Sequence, residues 1–141
     1  IKAYNYGLGD CDKVVEGYFC VEHCTASRTH AEENTKWNSI KVKVEMKDAG
    51  TEFARYITND GRVYVLKLNC EGAEYDIIRS LIKQDLLKYI DIMLIETHDG
   101  REAEMFEYIK RRGFVWFYQE KTCGQGFIRA IMPRKINAIG E

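Results

Sequence analysis

The stretch Val63-Tyr64-Val65-Leu66-Lys67-Leu68-Asn69-Cys70-Glu71-Gly72-Ala73-Glu74 passes from an apolar run into a polar turn and then into a helix. Val63 to Leu68 is β-branched and aliphatic, a composition that suits a strand covered on both faces, as in a parallel sheet. Gly72 lets the backbone turn tightly. Beyond it Ile77, Ile78, Leu81 and Ile82 recur at helical spacing. Strand, tight turn and helix open a crossover unit, which needs a second buried strand; Ile90 to Ile95 supplies it.

Downstream, Arg101 to Arg112 reads as an amphipathic helix with Ala103, Phe106 and Ile109 inward and Gly113 as its C-cap. Phe114 to Tyr118 reads as a strand. The link from Lys121 to Gly126 is too short for a crossover, so Phe127 to Met132 should return antiparallel. Upstream, Ile1 to Tyr6 and Val14 to Val21 read as the arms of a β-hairpin, with Gly7-Leu8-Gly9-Asp10 as its turn. Ile40, Val42 and Val44 alternate with lysines as in a half-buried strand. Met46, Ala49, Phe53, Tyr56 and Ile57 then fall on one helical face, closed by Asn59-Asp60-Gly61. The order predicts an open α/β sheet, mostly parallel, with one reversed strand near its edge.

Composition narrows the function classes. The chain has 141 residues, 45% hydrophobic and 30% charged, with one proline, as expected of a single globular domain over residues 1–141. A net charge of −1 offers no field for nucleic acid. No apolar run approaches the roughly eighteen residues of a membrane span, and no leader is visible, so the chain is expected in the cytoplasm. The odd cysteine count, five, fits free thiols. Cys20, His23, Cys24 and His30 match no standard zinc spacing, and no metal is expected. The first residues already read as a strand, so upstream sequence is expected to be missing.

In open α/β sheets ligands sit beyond the carboxyl ends of the strands. Two such ends are polar: Asn69, Cys70, Glu71 and Glu74 after the first strand, and Glu96, Thr97, His98 and Asp99 after the second. His98 is the candidate base, because its ordinary pKa lies near neutrality. Glu74 sits where a helix dipole stabilises a carboxylate. Glu71, Glu96 and Asp99 are candidates to bind a hard cation or orient an acceptor hydroxyl, with a solvated acidic rim the simpler reading, and Lys67 is expected to pair with Glu96.

Lys67-Leu68-Asn69-Cys70-Glu71-Gly72-Ala73-Glu74 resembles the FkbM methyltransferase signature of lysine, apolar, aspartate, any residue, glutamate, glycine, any residue, glutamate, differing only at Asn69. Ile95-Glu96-Thr97-His98 is similar to the glutamate and histidine carried after the next strand, and Tyr4 to Asp10 resembles the stretch after the family's second strand. The resemblance implies a Rossmann-like class I methyltransferase sheet lacking its first strands. It implies S-adenosylmethionine as cofactor, touched by Asn69 and Cys70, and transfer to a hydroxyl of a small molecule or carbohydrate, with His98, Glu71, Asn69 and Lys67 in the catalytic set. The family's glycine-rich cofactor loop has no counterpart here unless Gly7-Leu8-Gly9 supplies it, and the β-formers that follow oppose that. The portion is therefore expected to be inactive alone. The alternative is a non-catalytic binding or assembly module, and an uncovered sheet implies a homo-oligomer.

Overall fold

The computed structural model describes residues 2–20, 39–58, 60–122 and 124–133. They form two sheets and three α-helices. Strands β1 (Gly7–Gly9), β2 (Lys13–Cys20) and β3 (Ser39–Asp48) lie in the order β1-β3-β2. Strands β4 (Val65–Leu68), β5 (Ile92–Thr97), β6 (Val115–Thr122) and β7 (Gln125–Ile131) lie in the order β4-β5-β7-β6. Helix α1 (Ala49–Ala54) follows β3, α2 (Glu74–Lys83) links β4 to β5, and α3 (Glu102–Arg111) links β5 to β6.

The crossover reading holds: β4 and β5 pair in parallel, with Leu68 opposite Ile95. Strand β7 runs antiparallel to both β5 and β6, so β4, β5 and β6 share one direction and β7 alone is reversed. The reversed strand lies one place in from the edge, near it as expected. It therefore converts two of the three pairings to antiparallel, and the sheet is mixed by pairing although mostly parallel by direction. Strand β6 runs on to Thr122 and β7 begins at Gln125, so both strands extend into the expected six-residue link.

Alternation along the strands sets the core. Leu68, Met93, Ile95, Ile128 and Ala130 are buried together with Ile77, Ile78 and Leu81 of α2 and Met105 and Ile109 of α3. Each fully buried aliphatic side chain contributes about 1.5–3 kcal/mol, so this single face dominates stability. The opposite face stays open: Val65 and Lys67 on β4 and Leu94 on β5 are exposed. The expectation that β4 is covered on both faces is thus corrected. An alternating strand is half-buried whatever its composition, and helices cover one side only. In α3, Ala103 is exposed, while Met105 takes the inward place and Phe106 stacks on Trp116 at 4.7 Å.

Upstream the expected hairpin is replaced. Gly7 to Gly9, read as a turn, is a strand parallel to β3, and β2 pairs antiparallel with β3 from Lys13 opposite Met46 to Cys20 opposite Ser39. Ile1 and Val21 lie outside the described residues, as do His23, Cys24 and His30. Met46 belongs to β3, not to the helix. Asp48 ends the strand by accepting the Thr51 N–H at 2.8 Å, an N-cap that fixes where helical geometry begins. The same carboxylate accepts from Ser80 (2.7 Å) and Gln84 (2.6 Å) of α2, and Ser80 Oγ accepts the Gly50 N–H (2.8 Å), tying α1 to α2. Burial alone would raise the Asp48 pKa, but the donors from Thr51, Ser80 and Gln84 outweigh it and bring it to about 2. No helix among the described residues is long and apolar enough to cross a membrane.

Candidate active site

Because β4 and β5 are parallel neighbours, their carboxyl ends emerge side by side and the two polar turns meet. Both turns adopt left-handed backbone: Glu71 at φ 52° before Gly72 at φ 105°, and Asp99 at φ 65° before Gly100 at φ 66°. A non-glycine residue in that region costs on the order of 1 kcal/mol or more, so something must hold the turns.

Glu74 holds the first. Its side chain is fully buried (0% exposed), with Oε1 accepting the Cys70 N–H at 3.0 Å and Oε2 the Gly72 N–H at 2.8 Å. It also holds the second, since His98 Nδ1 lies 2.6 Å from Glu74 Oε1. Both Glu74 oxygens already accept backbone N–H groups, an arrangement suited to receiving the Nδ1 proton too, and Nε2 faces Glu71 Oε1 at 3.7 Å, beyond hydrogen-bond distance. His98 is 4% exposed, so this imidazole is a buried strut between the turns. Asp99 leans on the same turn: a Cβ at Gly72 would come within 2.6 Å of its Oδ2.

Tyr75, not singled out from the sequence, completes the junction. Its hydroxyl donates to the His98 carbonyl at 2.5 Å and accepts the Arg101 N–H at 3.3 Å, and the Arg101 guanidinium lies 4.4 Å from its ring centroid. Burial pushes its pKa up to about 12, so it stays protonated and donating. The usable signal was an aromatic hydroxyl in the first turn of an amphipathic helix, which needs a polar partner once buried. The Cys70 thiol is raised mainly by desolvation, which keeps it neutral and a poor nucleophile.

A hollow of about 450 Å³ opens beyond β4. Lys67, Asn69, Cys70 and Glu71 line its polar side; Leu8 and Met46, from the other sheet, line its apolar side. Glu71 thus faces the hollow while Glu74 and His98 stand behind it. Glu96 points to the open face of the sheet, where it pairs with Lys121 at 3.1 Å. The expected Lys67–Glu96 pair is replaced by this one, and Lys67 is exposed at the rim of the hollow. The structure therefore brings Asn69, Cys70, Glu71, Glu74, His98 and Asp99 together, while Glu96 shares with Lys67 and Asn69 a smaller hollow of about 220 Å³ on the open face. Gly7-Leu8-Gly9 form β1, and β2 rather than a helix comes next, in line with the β-formers that opposed reading them as a cofactor loop.

The family model described as the methyltransferase FkbM domain matches residues 1–116. No curated protein and no solved structure matches the chain. The matched region runs from β1 to the start of β6 and contains both turns, the buried Glu74–His98 pair and the hollow. On the strength of that match, over most of its length, the chain belongs to the FkbM methyltransferase domain family.

Proposed function

We propose that the chain is the acceptor-side portion of a Rossmann-like, S-adenosylmethionine-dependent O-methyltransferase acting in the cytoplasm on a hydroxyl of a small molecule or carbohydrate. The carrying observation is the hollow beyond β4, where Glu71 is presented by a turn that Glu74 and His98 lock from behind. The residues present fit one flank of the cofactor. Asn69 offers both a donor and an acceptor, Glu71 offers a negative charge suited to a sulfonium and to hydroxyls, and Leu8 and Met46 offer an apolar wall. When bound, S-adenosylmethionine supplies an electrophilic methyl group.

The work of this chain is positioning and proton transfer. Glu71 is the carboxylate within the hollow, so it accepts the acceptor's hydroxyl proton as the oxygen attacks. His98 is a positioning residue in this scheme, because its Nδ1 is committed to Glu74 and its Nε2 is directed at Glu71. Asn69, where the family carries aspartate, orients without taking a proton. Lys67 at the rim supplies a donor to the acceptor's other oxygens. In a version of the protein extended upstream, Glu71→Gln should lower kcat by about 10²-fold or more, read at saturating cofactor as S-adenosylhomocysteine formation over a panel of polyols and sugars. Full activity in that variant sinks the assignment. Because β1 opens into a strand pair rather than a helix, the 141-residue chain itself should hold S-adenosylmethionine weakly, and a version extended upstream should bind at least about tenfold tighter by calorimetry.

One observation favours a second reading, a non-catalytic assembly module. The open sheet face carries Val65 (54% exposed), Phe117 (59%) and Val115 (61%), an apolar surface suited to self-association into a homo-oligomer. Light scattering distinguishes the two: a monodisperse monomer removes the support for the module.

A further inference from the structure

A second hollow, of about 380 Å³, lies beside β1, α1 and β4, away from Asn69, Cys70 and Glu71. Its floor holds the carboxylate of Glu52, 7% exposed, and its walls include the rings of Tyr4, Tyr6, Phe53 and Tyr56 with Leu66 behind them. Charged residues are almost never buried in apolar surroundings without a partner. Glu52 has two: Tyr6 Oη donates to Oε2 at 2.8 Å, and Arg55 Nη1 lies 2.6 Å from Oε1. The two differ in kind. The bond to Glu52 is the leading cause that pushes the Tyr6 hydroxyl up to about 12, which keeps it a donor. The Arg55 side chain is 62% exposed, and an ion pair with so solvated a partner is weak and easily exchanged.

We infer that this aromatic groove is a binding site for a small organic cation with an apolar body, an aryl- or alkylammonium, whose charge meets Glu52 Oε1 while its body packs among the rings. Aromatic faces attract cations and more strongly when desolvated, and a carboxylate at the base of an apolar groove selects positive charge over a neutral group of the same shape. The volume falls within the range of small-molecule sites. The groove adjoins the proposed methyl-transfer hollow along Leu8, Leu68 and Ile77 but shares none of its polar residues, so Glu52 and Glu71 can be varied separately and the two readings tested apart.

The test uses 2-phenylethylammonium and its neutral counterpart 2-phenylethanol on the full 141-residue chain, followed by backbone and ring resonances. The cation should shift Phe53 and Tyr56 and bind about tenfold or more tightly than the alcohol, and Glu52→Gln should remove most of that preference. Tyr56→Ala, at an exposed position that leaves the core intact, should weaken the cation several-fold even if Glu52→Gln fails to fold. Glu71→Gln should leave this binding unchanged. Equal affinity for cation and alcohol, no shift at Phe53 or Tyr56, or an unaltered preference in folded Glu52→Gln overturns the proposal.

Discussion

Replacing Glu74 by glutamine keeps the shape of the side chain and removes its charge, which isolates what the buried carboxylate does. Glu74 accepts two backbone N–H groups and faces the His98 Nδ1 proton, all within 3.0 Å. A glutamine keeps one acceptor oxygen and presents an NH₂ group to a donor. One charge-assisted hydrogen bond, about 1.5–3 kcal/mol, is lost, and one buried N–H is left unsatisfied at a cost of about 1–3 kcal/mol. The desolvation cost of the carboxylate, recovered in the variant, offsets part of this. The net should be a destabilisation of about 2–4 kcal/mol, a large share of the ~5–15 kcal/mol typical of a domain. Urea unfolding followed by far-ultraviolet circular dichroism should show a midpoint lowered by roughly 1–2 M at unchanged slope. His98→Ala made alone and with Glu74→Gln should give a coupling energy of about 1–3 kcal/mol. A Glu74→Gln loss below about 0.5 kcal/mol, or strict additivity with His98→Ala, refutes the view that this pair clamps the turns.

Gly72→Ala adds a Cβ at φ 105°, within 2.6 Å of Asp99 Oδ2, and should destabilise by about 1–3 kcal/mol in the same assay; adding Asp99→Ala should restore only the steric part. Asp48, with its folded pKa near 2 against an ordinary value of 3.8, contributes stability that is present above pH ~4 and is lost as pH falls through 3.8 toward 2. Allowing for its partial exposure, acid titration of stability should lose about 1–2 kcal/mol over that window, and Asp48→Asn should remove this component of the pH dependence.

The parts of the fold that were legible in the sequence are those governed by local period. Val65 to Leu68, α2 and Ile92 to Ile95 each carry enough apolar residues at one spacing to declare their type, and a short link declared β7 reversed. The β1 strand escaped because Gly-Leu-Gly has no pattern of its own. It forms only by pairing with Met46 to Asp48, some forty residues on, where local turn propensity is overridden. Met46 fits both the period-2 pattern before it and the helical pattern after it, so the boundary was decided by the Asp48 cap. The two turns were marked out as the candidate site by polarity and strand ends. The burial of His98 was hidden for the same reason, because polarity argues for solvent unless the partner is known.

What Glu74 occupies also bears on what the site can accept. Two converging N–H groups at a strand-to-helix turn with left-handed backbone make a ready anion-binding concavity. In this chain the concavity is filled by the protein's own carboxylate, since the Cys70 and Gly72 amides both point to Glu74. The hollow beyond β4 is therefore lined at this turn by the side chains of Asn69 and Glu71 rather than by free amides. A phosphate or carboxylate brought to that turn would find the Cys70 and Gly72 amides already taken and a facing negative charge at Glu71. A sulfonium or a neutral hydroxyl would find an acceptor. The same buried glutamate that stabilises the turn thus leaves the hollow better suited to cationic and neutral groups, the charge types that the proposed methyl transfer would need.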